Sequence, residues 1–190
     1  MMAALASCAA LPGGAPKPLD TYELTAPDIT SVRRRPRVQV LVAEPSALKS
    51  LDGQNIVVKT SGTSLAYLDG AQWGDRLPKI VQARLAETFQ RSGAFGGVGK
   101  PGEGLAIDYQ IVTDVRAFEI VASGGEKARA ALFVRLLNDR NGVIVAERLF
   151  EADAAVSGSG NDAYVDALNR AFGEAAGEIA CPGRIPPLTD

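Results

Sequence analysis

The sequence predicts an α+β fold: a mostly antiparallel sheet with two amphipathic helices packed on one face, in the order ββββ-α-βββ-α. Three observations carry this. Apolar residues recur at helical spacing in two windows, from Trp73 to Phe89 and from Tyr164 to Ile179. Elsewhere they alternate or run in short stretches, as in Val38, Val40 and Val42. Two such runs flank Asn138-Asp139-Arg140-Asn141-Gly142, which marks a hairpin.

In chain order, Thr21–Thr25 and Arg37–Ala43 read as the first strands. Asn55–Lys59 and Leu65–Leu68 follow, parted by the turn residues Ser61-Gly62-Thr63. The first helix covers about Gly74–Arg91, with Trp73, Leu77, Ile80, Val81, Leu85 and Phe89 as its stripe and Lys79, Arg84 and Glu87 on other faces. Pro78 lies near its start, where a missing N–H does least harm, and Ser92-Gly93 ends it. Leu105, Ile107, Tyr109, Ile111 and Val115 then alternate with Asp108, Gln110, Asp114 and Arg116, giving a long strand with one wet face. The apolar parity flips at Phe118 and Ile120, which calls for a bulge or bend near Ala117. Ala130–Leu137 and Val143–Glu151 form the hairpin. The second helix spans about Asp162–Ala180, with Tyr164, Leu168, Ala171, Phe172, Ala175 and Ile179 inward and Asn161 or Asp162 as its cap.

A chain of 190 residues, 46% hydrophobic and 22% charged, suits one domain with a real core, here residues 20–181. The Pro/Gly/Ala spacer ahead of it reads as a tether, and residues 182–190, with three prolines, as an irregular tail. No run approaches the ~18–20 apolar residues of a membrane span, so attachment to a membrane is expected through lipid. The net charge of −2 speaks against nucleic acid as a partner. The sequence has no histidine, which excludes Ser-His-Asp and Cys-His catalysis and histidine-ligated metals. Two cysteines cannot build a four-thiolate zinc site, so neither metal nor cofactor is expected.

Several motif matches fail on context. Gly97-Val98-Gly99-Lys100-Pro101-Gly102 spells a dinucleotide fingerprint, but it follows a helix and precedes a strand, and Pro101 removes an amide; it reads as a flexible loop. Ser46-Ala47-Leu48-Lys49 matches the S-x-x-K of serine acyl enzymes, and Lys59-Thr60-Ser61-Gly62 is near their K-T-G, but a third element is missing. Asp108 and Asp114 share a strand face yet sit about 20 Å apart, too far for the roughly 5–9.5 Å of a glycosidase pair.

Leu5-Ala6-Ser7-Cys8 resembles a bacterial lipobox, whose cysteine thiol takes a diacylglyceryl group and becomes the new N-terminus. Residues 1–7 then read as a signal-peptide remnant, without the basic residues and full apolar stretch of a complete one, and residues 8–19 as a lipidated tether. Cys181 is left without a partner for an intramolecular disulfide. Arg33, Arg34, Arg35 and Arg37 form the one charge cluster. It reads either as a solvated approach to an edge strand or as a contact with anionic lipid headgroups. Trp73, the sole tryptophan, is either a core anchor or a rim residue facing a partner.

A family resemblance draws on most of these segments. They are the lipobox at Cys8, Tyr22-Glu23-Leu24, Pro45 ahead of Asn55-Ile56-Val57, and above all Tyr67 followed by Gln72-Trp73-Gly74-Asp75-Arg76-Leu77-Pro78. Ile144-Val145-Ala146-Glu147-Arg148-Leu149-Phe150 and Ala167-Leu168-Asn169-Arg170-Ala171-Phe172 complete the set. The chain resembles the auxiliary lipoproteins of ABC-type transport systems that work with MCE-domain proteins, the PqiC-like group. It departs from their pattern at Gly74, where alanine is expected, and at Cys181-Pro182, where an aromatic residue is expected. The resemblance implies a non-enzymatic outer-membrane lipoprotein whose domain faces the periplasm. Ala9, where aspartate would retain a lipoprotein at the inner membrane, looks like the outer-membrane sorting signal. The partners implied are an MCE-domain protein and ABC transporter subunits that move phospholipid between membranes, with Tyr67, Gln72 and Trp73 as the expected contacts. Self-association into a homo-oligomer stays open. Two alternatives remain: a periplasmic lipid carrier with a cavity under the sheet, and a Ser46/Lys49 hydrolase.

Overall fold

The structure, a computed structural model, describes residues 18–29 and 34–181. Cys8, Arg33, most of the expected tether and the tail 182–190 lie outside the described residues. In chain order the elements are β1 (Asp20–Tyr22), β2 (Arg35–Val42), β3 (Ser46–Ala47), β4 (Asn55–Lys59), β5 (Leu65–Trp73), α1 (Leu77–Ser92), β6 (Phe95–Gly99), β7 (Tyr109–Val121), β8 (Lys127–Asn138), β9 (Ile144–Ala155) and α2 (Asn161–Ala180).

The 13-residue strand β7 is the spine of the sheet. Along one edge it pairs antiparallel with β8 over its whole length, and β8 carries β9 in turn. Along the other edge three short strands follow one another in parallel: β2 beside Tyr109–Ile111, β3 beside Asp114-Val115, and β4 beside Glu119–Val121. From β4 the sheet continues to β5 and β1, and from β2 to β6. Arg116 is the extra residue of a bulge between the Val115–Leu132 and Ala117–Ala131 pairs. That bulge turns Phe118 and Ile120 to the same side as Ile111 and Val115, as the parity flip requires.

The expectation of a mostly antiparallel sheet holds in part. The long ladders of the β7-β8-β9 meander and the β4–β5 hairpin are antiparallel. The remaining pairings, β1–β5, β2–β6, β2–β7, β3–β7 and β4–β7, are parallel and make the sheet mixed. Of the glycine-rich stretch read as a loop, residues 97–99 lie in β6, held parallel to β2, and residues 100–102 lie in the turn that follows. A Cβ at Gly96 would collide with the Pro36 carbonyl oxygen, so only glycine allows the two chains this approach.

Both helices pack on one sheet face, α1 over β2 and β6, α2 over β8 and β9, and they touch each other. Pro78 lies in the first turn of α1, and Gly93 closes it at φ 60°. The N-cap of α2 is Gly160, one residue before the expected cap; Asn161 instead donates from Nδ2 to the Asp69 carbonyl. Phe118 centres the core, its ring 5.8 Å from Trp73 and 6.3 Å from Phe172. After β1, residues 23–29 lie as an extended strap over the helices. Leu24 is buried, Glu23 pairs with Arg84 at 2.8 Å, and the Thr25 amide donates to Asn169 Oδ1 at 2.8 Å.

Candidate docking face

Every strand of the meander has two faces, and only one is covered. Residues directly opposite in a ladder share a face. The rows Val115–Leu132–Phe150 and Phe118–Ala130–Ala152 point to the helices and are buried throughout. The intervening rows point away from them. One runs Tyr67, Val57, Glu119, Arg129, Asp153 from β5 to β9, with Val57 and Glu119 themselves buried; another runs Ser46, Asp114, Phe133, Leu149; a third runs Val112, Arg135, Glu147.

Chemistry divides this open face. Its upper rows, next to the β4–β5 hairpin, are an ion-pair lattice: Lys59 with Glu119 at 3.6 Å, Lys127 with Asp153 at 2.6 Å, Arg129 with Glu151 at 2.6 Å. The hydrogen bond to Glu151 raises Arg129 above the ordinary guanidinium value. The lower rows centre on Phe133, with the Arg116 guanidinium stacked 4.0 Å from its ring centroid. Leu149 stands beside it, 36% exposed. Sequence reading did not single out Phe133, Leu149, Arg116 or Arg135. The signal was present: Ala130–Leu137 is apolar on both strand phases, one phase more than a single core needs.

The three residues expected to meet a partner do not share a surface. Between the Asn55–Gln72 and Val57–Tyr67 pairs, β5 bulges at Gly70, where φ is 73°. The bulge sends Tyr67 to the open face, 53% exposed, and Trp73 into the core, 1% exposed. Gln72 donates to Thr21 Oγ1 at 3.2 Å and fastens β1 to β5. The rest of the tryptophan-centred motif is equally structural. Arg76 bonds Asp52 and, at 3.0 Å, Glu44, tying the segments on either side of β3 to the start of α1.

The alternatives find little support. Ser46 donates to Asp114 Oδ1 at 3.3 Å from a strand, while Lys49 lies in an exposed turn; no helix brings the two together. Phe118, Phe172, Leu132 and Leu168 fill the space beneath the sheet that a carrier's ligand would need. A shallow open groove of about 410 Å³ lies instead on the sheet edge, lined by Ile144, Val145, Ala146 and Glu147. Among the described residues there is no group of three or more metal-ligating side chains, and no helix is long and apolar enough to cross a membrane.

Comparison with known proteins places this geometry. A family model for the ABC-type transport auxiliary lipoprotein component matches residues 22–180. The fold is similar to that of protein XCC0632 from Xanthomonas campestris, with a TM-score of 0.78 and 24% identity, covering 86% of this chain and 94% of that one. A second solved structure, of an uncharacterized protein, gives a TM-score of 0.65 at 17% identity and covers 86% and 97% of the two chains. The uncharacterized protein bll6063 of Bradyrhizobium diazoefficiens is 30% identical over 168 residues, 88% of this chain. The chain spans 45% of that relative's length.

Proposed function

The chain belongs to the ABC-type transport auxiliary lipoprotein component family, and from that membership we propose a non-enzymatic subunit that docks through its open sheet face. Its partner is the MCE-domain assembly of an ABC transporter, and the system moves phospholipid between the inner and outer membranes. The domain hangs in the periplasm from the outer membrane by a lipid on Cys8, with Ala9 as the sorting residue. ATP hydrolysis falls to another subunit, and this one supplies surface and position.

The observation that carries the reading is the contrast within one sheet. The helix side is closed and shielded by the strap, whereas Tyr67, Phe133 and Leu149 stand among charged side chains on the other side. Aromatic and aliphatic anchors within a polar rim are what protein interfaces use. Tyr67 therefore remains a proposed contact; Gln72 fastens β1 to β5 and Trp73 fills the core.

The test places a photo-reactive residue at Leu149, at Tyr67 or, on the outer side of α2, at Asp166, and irradiates intact envelopes. An MCE-domain protein captured from Leu149 and Tyr67 but not from Asp166 is the expected result. Capture from Asp166 alone, or of an outer-membrane β-barrel in its place, overturns the docking face.

A further inference from the structure

Two ends of the sheet differ in charge. The chain joins β1 at Asp20, whose register partner is Ala71, and Tyr22 there bonds Asp162. At the other end, β2 begins below the start of β7, since Val40 is level with Tyr109. Arg34 and Arg37 lie at that end, exposed and without an acidic partner among the described residues. Arg76, Arg84, Arg91, Arg129 and Arg140, by contrast, all pair with carboxylates. The same end carries the tip of the β8–β9 hairpin, held to it by Asp108. Asp108 accepts from the Gln39 amide at 3.0 Å and from Arg140 Nη2 at 3.0 Å. Just beyond, Val143 and Ile144 are 54% and 45% exposed.

We propose that this basic, aliphatic end is a second membrane contact, binding anionic headgroups of the bilayer that holds the lipid anchor, so that the domain lies along the surface. Unpaired arginines beside exposed aliphatic side chains fit an anionic lipid interface, which accepts both. Strand registers put the Asp20 and Arg37 levels roughly 35 Å apart at ~3.3 Å per residue. Ten residues separate Cys8 from Pro18 and span about 18 Å as a coil. An end-on domain would hold its arginines beyond reach of that bilayer. With the arginine end at the surface, a tether at its average coil span of about 18 Å inclines the strands by about 30° over roughly 35 Å. The headgroup contact stands apart from the lipidated-tether reading; which bilayer is met and the side-lying orientation rest on it.

The experiment separates the two. Full-length protein without lipid is sedimented with vesicles of phosphatidylethanolamine and phosphatidylglycerol, and with vesicles of phosphatidylcholine. Binding is expected to the first only, to weaken with salt, and to fall about fivefold for each of Arg34→Gln and Arg37→Gln and about 25-fold for the pair. Equal binding of the double variant, or none by the folded wild type, overturns the contact whatever becomes of Cys8. The same protein is then coupled through Cys8 to a maleimide lipid in a Cys181→Ser background, and hydrogen exchange is followed on anionic vesicles. Protection of the 139–144 hairpin tip is expected. A tip that exchanges as in free protein, with binding intact, overturns the side-lying orientation. The mass of the Cys8 peptide from native envelopes tests lipidation by itself.

Discussion

The covered and open faces of the sheet are built from alternate residues of the same strands, yet they obey different rules. On the covered face Ile111, Val115, Phe118, Ile120, Leu132 and Phe150 are 2% exposed or less and meet the stripes of two helices. On the open face Glu119, Arg129, Asp153 and Asp114 alternate with Phe133 and Leu149. Close packing makes each covered side chain costly to change. Exposed ion pairs contribute at most about 1 kcal/mol each and often nothing. Fold information therefore sits mainly on one phase of each strand; apart from buried positions such as Val57, Glu119 and Ala131, the other phase is free to carry recognition.

The largest test of that division is a matched pair of truncations. Phe118→Ala removes the ring between Trp73 and Phe172 and is expected to cost about 3–5 kcal/mol in urea unfolding. Phe133→Ala, on the neighbouring strand but the opposite face, should cost about 1 kcal/mol, the order of a surface cation–π contact. Comparable losses at both positions would mean that the open face is also core, and the comparison would break.

An intermediate effect is expected at the point where the faces are sorted. Gly70 takes φ 73°, which costs an L-residue about 1–2 kcal/mol, and the bulge around it parts Tyr67 from Trp73. Gly70→Ala should lower stability by that amount and shift the Trp73 emission as the indole loses its seat against Phe118. A stable variant with unchanged emission would show that the bulge does not depend on the glycine.

Legibility in the sequence follows the range of the forces involved. Both helices lay within three residues of their observed limits, because an apolar stripe and its stop signals are local. The Arg116 bulge was visible as a parity flip one residue away. Parallel pairing left no local trace: β2, β3 and β4 find β7 across more than fifty residues of chain, and β6 resembles a loop until β2 is beside it. The placing of the three expected contacts was hidden in the same way. Tyr67, Gln72 and Trp73 are close in sequence, and nothing in that spacing reveals a bulge that turns two of them to opposite faces. The open-face cluster of Phe133 and Leu149 depends on the β8–β9 register, which a five-residue hairpin loop does not fix by itself.

The smallest expected effect lies at the polar rim of the covered face, where the end of β1, just ahead of the strap, meets α2. The Tyr22 hydroxyl donates to Asp162 Oδ1 at 2.7 Å, and that bond, with burial and the nearby Asp20 and Asp166 carboxylates, pushes the phenol up to about 12. An unfolded tyrosine titrates near 10. The folded value is the higher one, so the latch contributes fully below pH ~10 and is lost as pH climbs from about 10 to 12. Stability measured by urea unfolding should then be flat in this term from neutral pH to about 9 and decline above 10. Tyr22→Phe should lower the plateau slightly and flatten the decline, since a phenylalanine has no proton to lose. A decline that persists unchanged in Tyr22→Phe would show that the latch does not set the alkaline sensitivity and leave the strap held by Leu24 and the Thr25–Asn169 bond.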